Sequence, residues 1–335
     1  MEQKQNNIRV LVISGSARKS TNYPAANGKS SFLMERIKKT LPKSWIVDTC
    51  NLGNDFGIPK IQACNACMST SMALCVWPCN CYKRHSFFEP DLMWDEDLFA
   101  RINAVDAIII IAPINWHGPT SSLKNLFDRL VCANGGNPDP KTINKKDANL
   151  AAQLENSPQW KQLSRNHLEG KTAAFFIYGD EGADEADADG APLILKHKNY
   201  FDPKKEAAIS SGYASYKPII FQLQYSGIEV PESLVQYIVT GKGVKYNKNQ
   251  IAALRENKRA LQAFDTWTDV VTKFVEEKGK VKPGKYAIPL QKPDSQINPF
   301  LRQLQLLVRK TIGSFILHPF GYFFFRYVAN KRKLK

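Results

Sequence analysis

The chain has 335 residues, 43% hydrophobic and 23% charged, with 46 Lys and Arg against 31 Asp and Glu, for a net charge of +15. That composition belongs to a folded protein and excludes disorder as the default. Residues 298–335 hold eight basic residues and no acidic one, so the body carries only +7 and has no basic stripe with interleaved aromatics. A nucleic-acid-binding fold is thereby excluded as the overall reading.

In chain order, Ile8–Ser14 (IRVLVIS) is an apolar, β-branched run ending in Ser14-Gly15-Ser16, and predicts a first parallel strand with a tight turn after it. Gly28-Lys29-Ser30-Ser31 opens an amphipathic helix with Phe32, Ile37 and Leu41 on one face, stopped by Pro42. Trp45–Leu52 predicts a second strand and Asp91–Asn103 a helix. Ala104–Ala112 holds five consecutive aliphatic residues, Ile108–Ala112, too apolar for a one-sided strand. It predicts a strand buried on both faces. A helix is expected at Pro119–Ala133, a polar connection over 134–168, and a fourth strand at Lys171–Gly179.

Six acidic residues then crowd Asp180–Asp189 in a solvated loop. A helix is expected within 205–226 with Pro218 as a kink, and a fifth strand within Ile228–Val239. Ile251, Leu254, Leu261, Phe264 and Val271 set a helical period over Asn249–Glu277. The proline-containing segment 279–299 predicts an extended linker.

Strands alternating with helices predict an α/β fold, a doubly wound five-stranded parallel sheet, with ligand-binding loops after the first, third and fourth strands. The first loop, Gly15–Ser20, offers backbone N–H groups, hydroxyls and Arg18 to a phosphate but lacks the GxxxxGK[ST] spacing. The second, Pro113-Ile114-Asn115-Trp116-His117-Gly118, stands where a flat ring would lie. In the third, Tyr178–Gly182, Gly179 and Gly182 permit close backbone approach.

Together SGSARKS, APINWHGPTSSLKNLFDRL and YGDEG resemble the flavodoxin-like NAD(P)H-dependent FMN reductase family over roughly residues 8–240. The second block is similar to that family's proline–aromatic loop followed by a Leu-Lys-x-x-x-Asp-Arg helix. The resemblance implies FMN, with its phosphate on Ser16, Arg18, Ser30 and Ser31. Its ring would lie over Pro113, Ile114, Asn115, Trp116, His117 and Gly118, and against Gly179, Asp180 and Gly182. Thr21–Asn27 lengthens the phosphate loop relative to the family pattern. NAD(P)H would be the electron donor and a quinone, a flavin or another small molecule the acceptor. The flavin N5 carries the chemistry, so no catalytic side chain is expected. The resemblance also implies a homodimer, with Leu123–Arg129 as contact helix.

The N-terminus shows no charged-then-apolar leader, so a reducing, cytoplasmic setting is expected, with cysteines as thiols or metal ligands. Five of the seven cysteines fall in Cys64-x2-Cys67-x7-Cys75-x3-Cys79-x-Cys81. The block resembles a cysteine segment of related flavoproteins, more compact where it binds an iron–sulfur cluster. Cys64, Cys67, Cys75 and Cys79 suffice for such a cluster or for zinc; thiols lining the site are the other reading. An iron–sulfur flavoprotein and a non-turnover electron carrier are therefore alternatives, although carriers are typically compact and acidic.

The expected organisation is an FMN-binding domain at 1–278, a Pro/Lys-rich linker at 279–297 and a basic, aromatic tail at 298–335, a C-terminal helical extension. Thr311–Val328 is aromatic-rich, with Arg309-Lys310 before it and Lys331-Arg332-Lys333 after it. Pro319 and His318 would sit mid-bilayer in a spanning helix, so attachment to a membrane surface is expected instead, with Phe315, Ile316, Phe320 and Phe324 packed on the body or in a dimer contact as the other reading.

Overall fold

The structure, a computed structural model, describes residues 7–18, 28–53, 61–69, 71, 92–95, 98–116, 118–135, 147–158, 168–179, 211–240 and 251–281. Five strands form one sheet there: β1 (Arg9–Ser14), β2 (Ile46–Asn51), β3 (Ala107–Pro113), β4 (Thr172–Gly179) and β5 (Val235–Val239). All pairings are parallel and the order is β2-β1-β3-β4-β5. This is the flavodoxin-like doubly wound order, whose switch point lies between β1 and β3.

The aliphatic run of β3 shows why the sheet must be covered twice. Ile108 and Ile110 belong to one hydrophobic core and Ile109 and Ile111 to another, all fully buried. Successive side chains of a strand point to opposite faces, so an unbroken aliphatic run needs apolar partners on both. One face is covered by α1 (Lys29–Thr40), α7 (Ile251–Glu256) and α8 (Lys258–Lys278), through Leu33, Ile37, Leu254, Phe264 and Trp267. The other is covered by α2 (Leu92–Asp95), α3 (Leu98–Asn103), α4 (Ser121–Gly135) and α6 (Ser211–Tyr225), through Met93, Phe99, Leu126, Phe127 and Tyr216. Phe176 meets Phe264 edge-on at 4.7 Å, which seats α8 on β4.

Several elements differ from expectation. The 134–168 connection contains α5 (Ala148–Glu155), started by Asp147, whose carboxylate accepts from the N–H groups of Asn149 and Leu150. The helix expected at Asp91–Asn103 is two short ones, α2 and α3. The period over Asn249–Glu277 is interrupted at Asn257, whose side chain caps α8 by accepting from Ala260 N–H. Pro218 lies inside α6. The expected contact helix Leu123–Arg129 turns Leu123, Leu126, Phe127 and Arg129 into the protein's own core. Its outward part holds Lys124 and Asp128, paired with each other. Those buried residues are therefore not a dimer surface.

The chain divides into two compact units, 1–289 and 290–335. The second unit, the acidic loop, Cys75, Cys79, Cys81, His117, Asp180 and Gly182 lie outside the described residues. Among the described residues no helix is long and apolar enough to cross a membrane.

Candidate active site

Parallel strands deliver their carboxyl ends to one rim, where Ser14 of β1 pairs with Ile111 of β3, and Pro113 of β3 with Tyr178 of β4. The segments leaving these strands are the first, second and third expected loops. The structure thus brings Ser16, Arg18, Ser30, Ser31, Pro113–Trp116, Gly118 and Gly179 to the same edge of the sheet.

The first turn is fixed by small residues. Gly15 N–H donates to Ile111 O at 2.8 Å, and a Cβ on Gly15 would lie 2.3 Å from Leu123 Cδ1 and 2.8 Å from Ala112 Cβ. Only glycine lets β1 leave the sheet this close to α4. Thr120 locks the arrangement: its hydroxyl donates to Gly15 O at 2.6 Å and accepts from Leu123 N–H. A Cβ on Gly28 would meet Ser16 Oγ at 2.9 Å, and one on Gly53 would meet Arg18 O at 2.2 Å. The β1 loop, the start of α1 and the end of β2 therefore close on one another without intervening side chains.

Helix α1 begins with no side-chain cap at Gly28 and no acidic residue in its first turn. Ser30 is fully buried, and its N–H donates to Tyr178 Oη at 3.0 Å. Its hydroxyl shares a further hydrogen bond with the same phenol at 2.8 Å. Ser31 Oγ accepts from Asn51 Nδ2 at 3.0 Å, and Ser16 Oγ accepts from Arg18 N–H. Lys29 reaches Thr240 Oγ1 beyond β5 and lies 5.9 Å from the Tyr178 ring centre. Hydroxyls, N–H groups, Arg18 and Lys29 with no first-turn carboxylate make a donor set suited to a phosphate dianion.

The second turn is a tight reversal. Asn115 and Gly118 exchange both backbone hydrogen bonds, at 2.8 and 2.9 Å, leaving Trp116 at the tip with φ +48° and 99% exposed. Ile114 N–H donates to Tyr178 O, and its side chain would contact any Cβ placed on Gly179. Tyr216 Oη donates to Pro113 O at 2.7 Å from α6. Burial, helped by the phenol of Tyr178, holds the Tyr216 hydroxyl well above its ordinary pKa, so it remains a donor.

Tyr178, Asn51, Gly53 and Thr120 hold the site but are absent from the expected ligand set. Asn51 and Gly53 do carry a sequence signal, an Asn-x-Gly turn closed by Gly53 N–H on Asn51 Oδ1. Thr120 before Ser121 is an N-cap signal. Tyr178 gives none, because its partner lies 148 residues away.

Cys64 and Cys67 form no disulfide and lie in a separate segment beside α4 and α5. Among the described residues no three His, Cys, Asp or Glu side chains gather as a metal site.

The family model for NADPH-dependent FMN reductase matches residues 8–212, well over half of the chain. Similar solved structures include the NAD(P)H:quinone oxidoreductase from Methanothermobacter marburgensis, at 12% identity and TM-score 0.41, covering 79% of this chain and 96% of that one. Another is an FMN-dependent NADH-azoreductase from Bacillus anthracis str. Ames Ancestor in complex with FMN, at 11% and 0.37, covering 80% and 98%. Smu.1420 from Streptococcus mutans UA159 matches at 14% and 0.40, covering 80% and 100%. No curated protein matches. On the family match, this chain belongs to the NADPH-dependent FMN reductase family, as a flavodoxin-like NAD(P)H oxidoreductase.

Proposed function

We propose that the rim at the carboxyl ends of β1, β3 and β4 is where this enzyme binds FMN and reduces a small, planar acceptor of the quinone type. The observation that carries the reading is Trp116, a fully exposed indole held at the tip of a closed turn at the sheet's switch point. Bound FMN would supply two-electron chemistry between NAD(P)H and the acceptor.

The chain's own part is binding and positioning. Ser16, Arg18, Ser31 and the first turn of α1 hold the phosphate. Ser30 would donate its hydroxyl hydrogen to it while the Tyr178 phenol donates to the Ser30 oxygen. Pro113–Gly118 forms one wall for the ring, and Gly179, with Asp180 and Gly182 after it, the other. Gly179 keeps that wall low, since a side chain there would press on Ile114 and Tyr237. Trp116 offers the acceptor an apolar face.

The basic, aromatic residues 298–335 support attachment to an anionic lipid surface, where quinones are abundant. Flotation with vesicles of anionic lipid, with and without those residues, tests this part separately.

The central test is the absorption spectrum of the purified chain mixed with FMN, followed by NADH and NADPH oxidation with a quinone, free FMN and an azo dye. Bound flavin, and fastest turnover with the quinone, are expected. A folded protein that leaves FMN entirely free removes the site; equal rates with all acceptors remove the quinone.

A further inference from the structure

We propose that Cys64 and Cys67 are a redox-active dithiol that closes to an intramolecular disulfide, with Cys64 attacking a small hydroperoxide and Cys67 resolving the product. The oxidation half stands on this segment alone and does not rest on the flavin reading.

The chain reverses between the two residues. Ala66 adopts φ +50°, unusual for a side chain with a Cβ, and its N–H donates back to Cys64 Sγ at 3.3 Å. The turn is locked from the other side, because both the N–H and the hydroxyl of Ser69 donate to Ala66 O, at 2.8 and 2.7 Å. A disulfide joins Cα atoms about 4.4–6.8 Å apart, a span that an extended three-residue step of roughly 10 Å exceeds and a turn shortens.

The segment is held at both ends. Asn125 Nδ2 of α4 donates to Ile61 O, and Ile61 packs on the core. Ser71 Oγ donates to Glu155 of α5 at 2.6 Å. Between these anchors both thiols stay partly exposed, within reach of a small solute, whereas Cys50 is buried in the sheet. The Ala66 N–H donates to the Cys64 sulfur, and the attacking role is assigned to that residue, Cys64.

The step balances. The Cys64 thiolate attacks one oxygen of ROOH, the O–O bond breaks, and ROH leaves after taking a proton. Cys64 is then a sulfenic acid. The Cys67 sulfur displaces its hydroxyl, which leaves as water with the Cys67 proton. Two thiols and ROOH give one disulfide, ROH and water. Two electrons and two protons, from an added dithiol or from NAD(P)H and a solvent proton, restore the thiols.

The experiment treats the full-length protein with one equivalent of hydrogen peroxide, blocks remaining thiols with N-ethylmaleimide and maps the peptide by fragmentation. A Cys64–Cys67 disulfide reversed by dithiothreitol is expected. Cys67→Ser should stop at a sulfenic acid on Cys64, trapped by dimedone. Cys64→Ser should slow peroxide consumption at least tenfold, with circular dichroism confirming that both variants fold. Three results overturn the proposal: both thiols still open to maleimide after peroxide, a disulfide to Cys75, Cys79 or Cys81 instead, or stoichiometric zinc or iron shielding the thiols of the purified protein. FMN binding, read from the spectrum of the same preparation, reports on the flavin site independently.

Discussion

The phenol of Tyr178, at the end of β4, holds Ser30 in the first turn of α1 by two hydrogen bonds, one to its N–H and one to its hydroxyl. One side chain thus sets the height of the α1 N-terminus above the sheet, across 148 residues of sequence. Tyr178→Phe leaves the buried Ser30 N–H and hydroxyl without that partner, a cost of about 1–3 kcal/mol. It also frees the helix start to move. The variant should show a lower urea midpoint and several-fold weaker FMN binding by fluorescence titration. Unchanged values for both would show that Tyr178 does not position α1.

Gly15→Ala tests the close packing of the first turn. The added methyl would sit 2.3 Å from Leu123 Cδ1, and Leu123 is fully buried. Ala112 on β3 blocks the neighbouring direction at 2.8 Å. Either α4 or the β1 loop must therefore shift, at a cost of roughly 1–3 kcal/mol. Thermal unfolding should report the loss. Titration with FMN should show a larger defect than Gly118→Ala, since a Cβ at Gly118 meets nothing closer than 3.7 Å.

Trp116 separates backbone strain from ligand contact. Its left-handed φ costs a non-glycine residue about 1–2 kcal/mol, and its exposed indole recovers none of that by burial. Trp116→Gly should therefore leave stability unchanged or raise it by up to about 1 kcal/mol, while Trp116→Ala keeps the strained backbone. Both should raise the KM for a quinone several-fold with FMN affinity nearly unaltered. Steady-state kinetics decide: if neither variant changes that KM, the indole is not the acceptor's platform.

Much of this architecture is legible in the chain because its signals are local. The run Ile108–Ala112 requires a doubly covered strand, and the residues after β1, β3 and β4 must then share one rim. The sequence is silent where a long-range partner decides. Nothing near Ser30 announces Tyr178, and nothing near Arg18 announces that Gly53 must lack a side chain for the two segments to close. The break at Asn257 is hidden for another reason. The apolar period continues through it, with Leu254 before and Phe264 after both buried, so only the capping side chain marks the boundary. Leu123–Arg129 shows the same limit: an amphipathic helix has one apolar face, and here Leu123, Leu126 and Phe127 on it are buried in the core beside the sheet.

Lys171 gives stability a pH dependence at the opposite edge of the sheet. Its ammonium donates to Asn103 O at 2.9 Å and Val105 O at 2.5 Å. Burial lowers its pKa to about 8, partly offset by the nearby Asp106 carboxylate. Below pH 8 both folded and unfolded chains carry the charge, and the folded state bears its desolvation in full. Between pH 8 and the ordinary lysine value near 10.4, the folded chain has released a proton that the unfolded chain still binds, so this residue makes stability rise with pH. The neutral amine still has two hydrogens for the two carbonyls. Urea unfolding of the wild type and of Lys171→Met at pH 8 and pH 10 should show the wild type gaining on the order of 2 kcal/mol relative to the variant. The variant serves as the reference for every other group that titrates in that window. A constant difference between the two proteins would mean that Lys171 keeps an ordinary pKa and that the folded state solvates its charge fully.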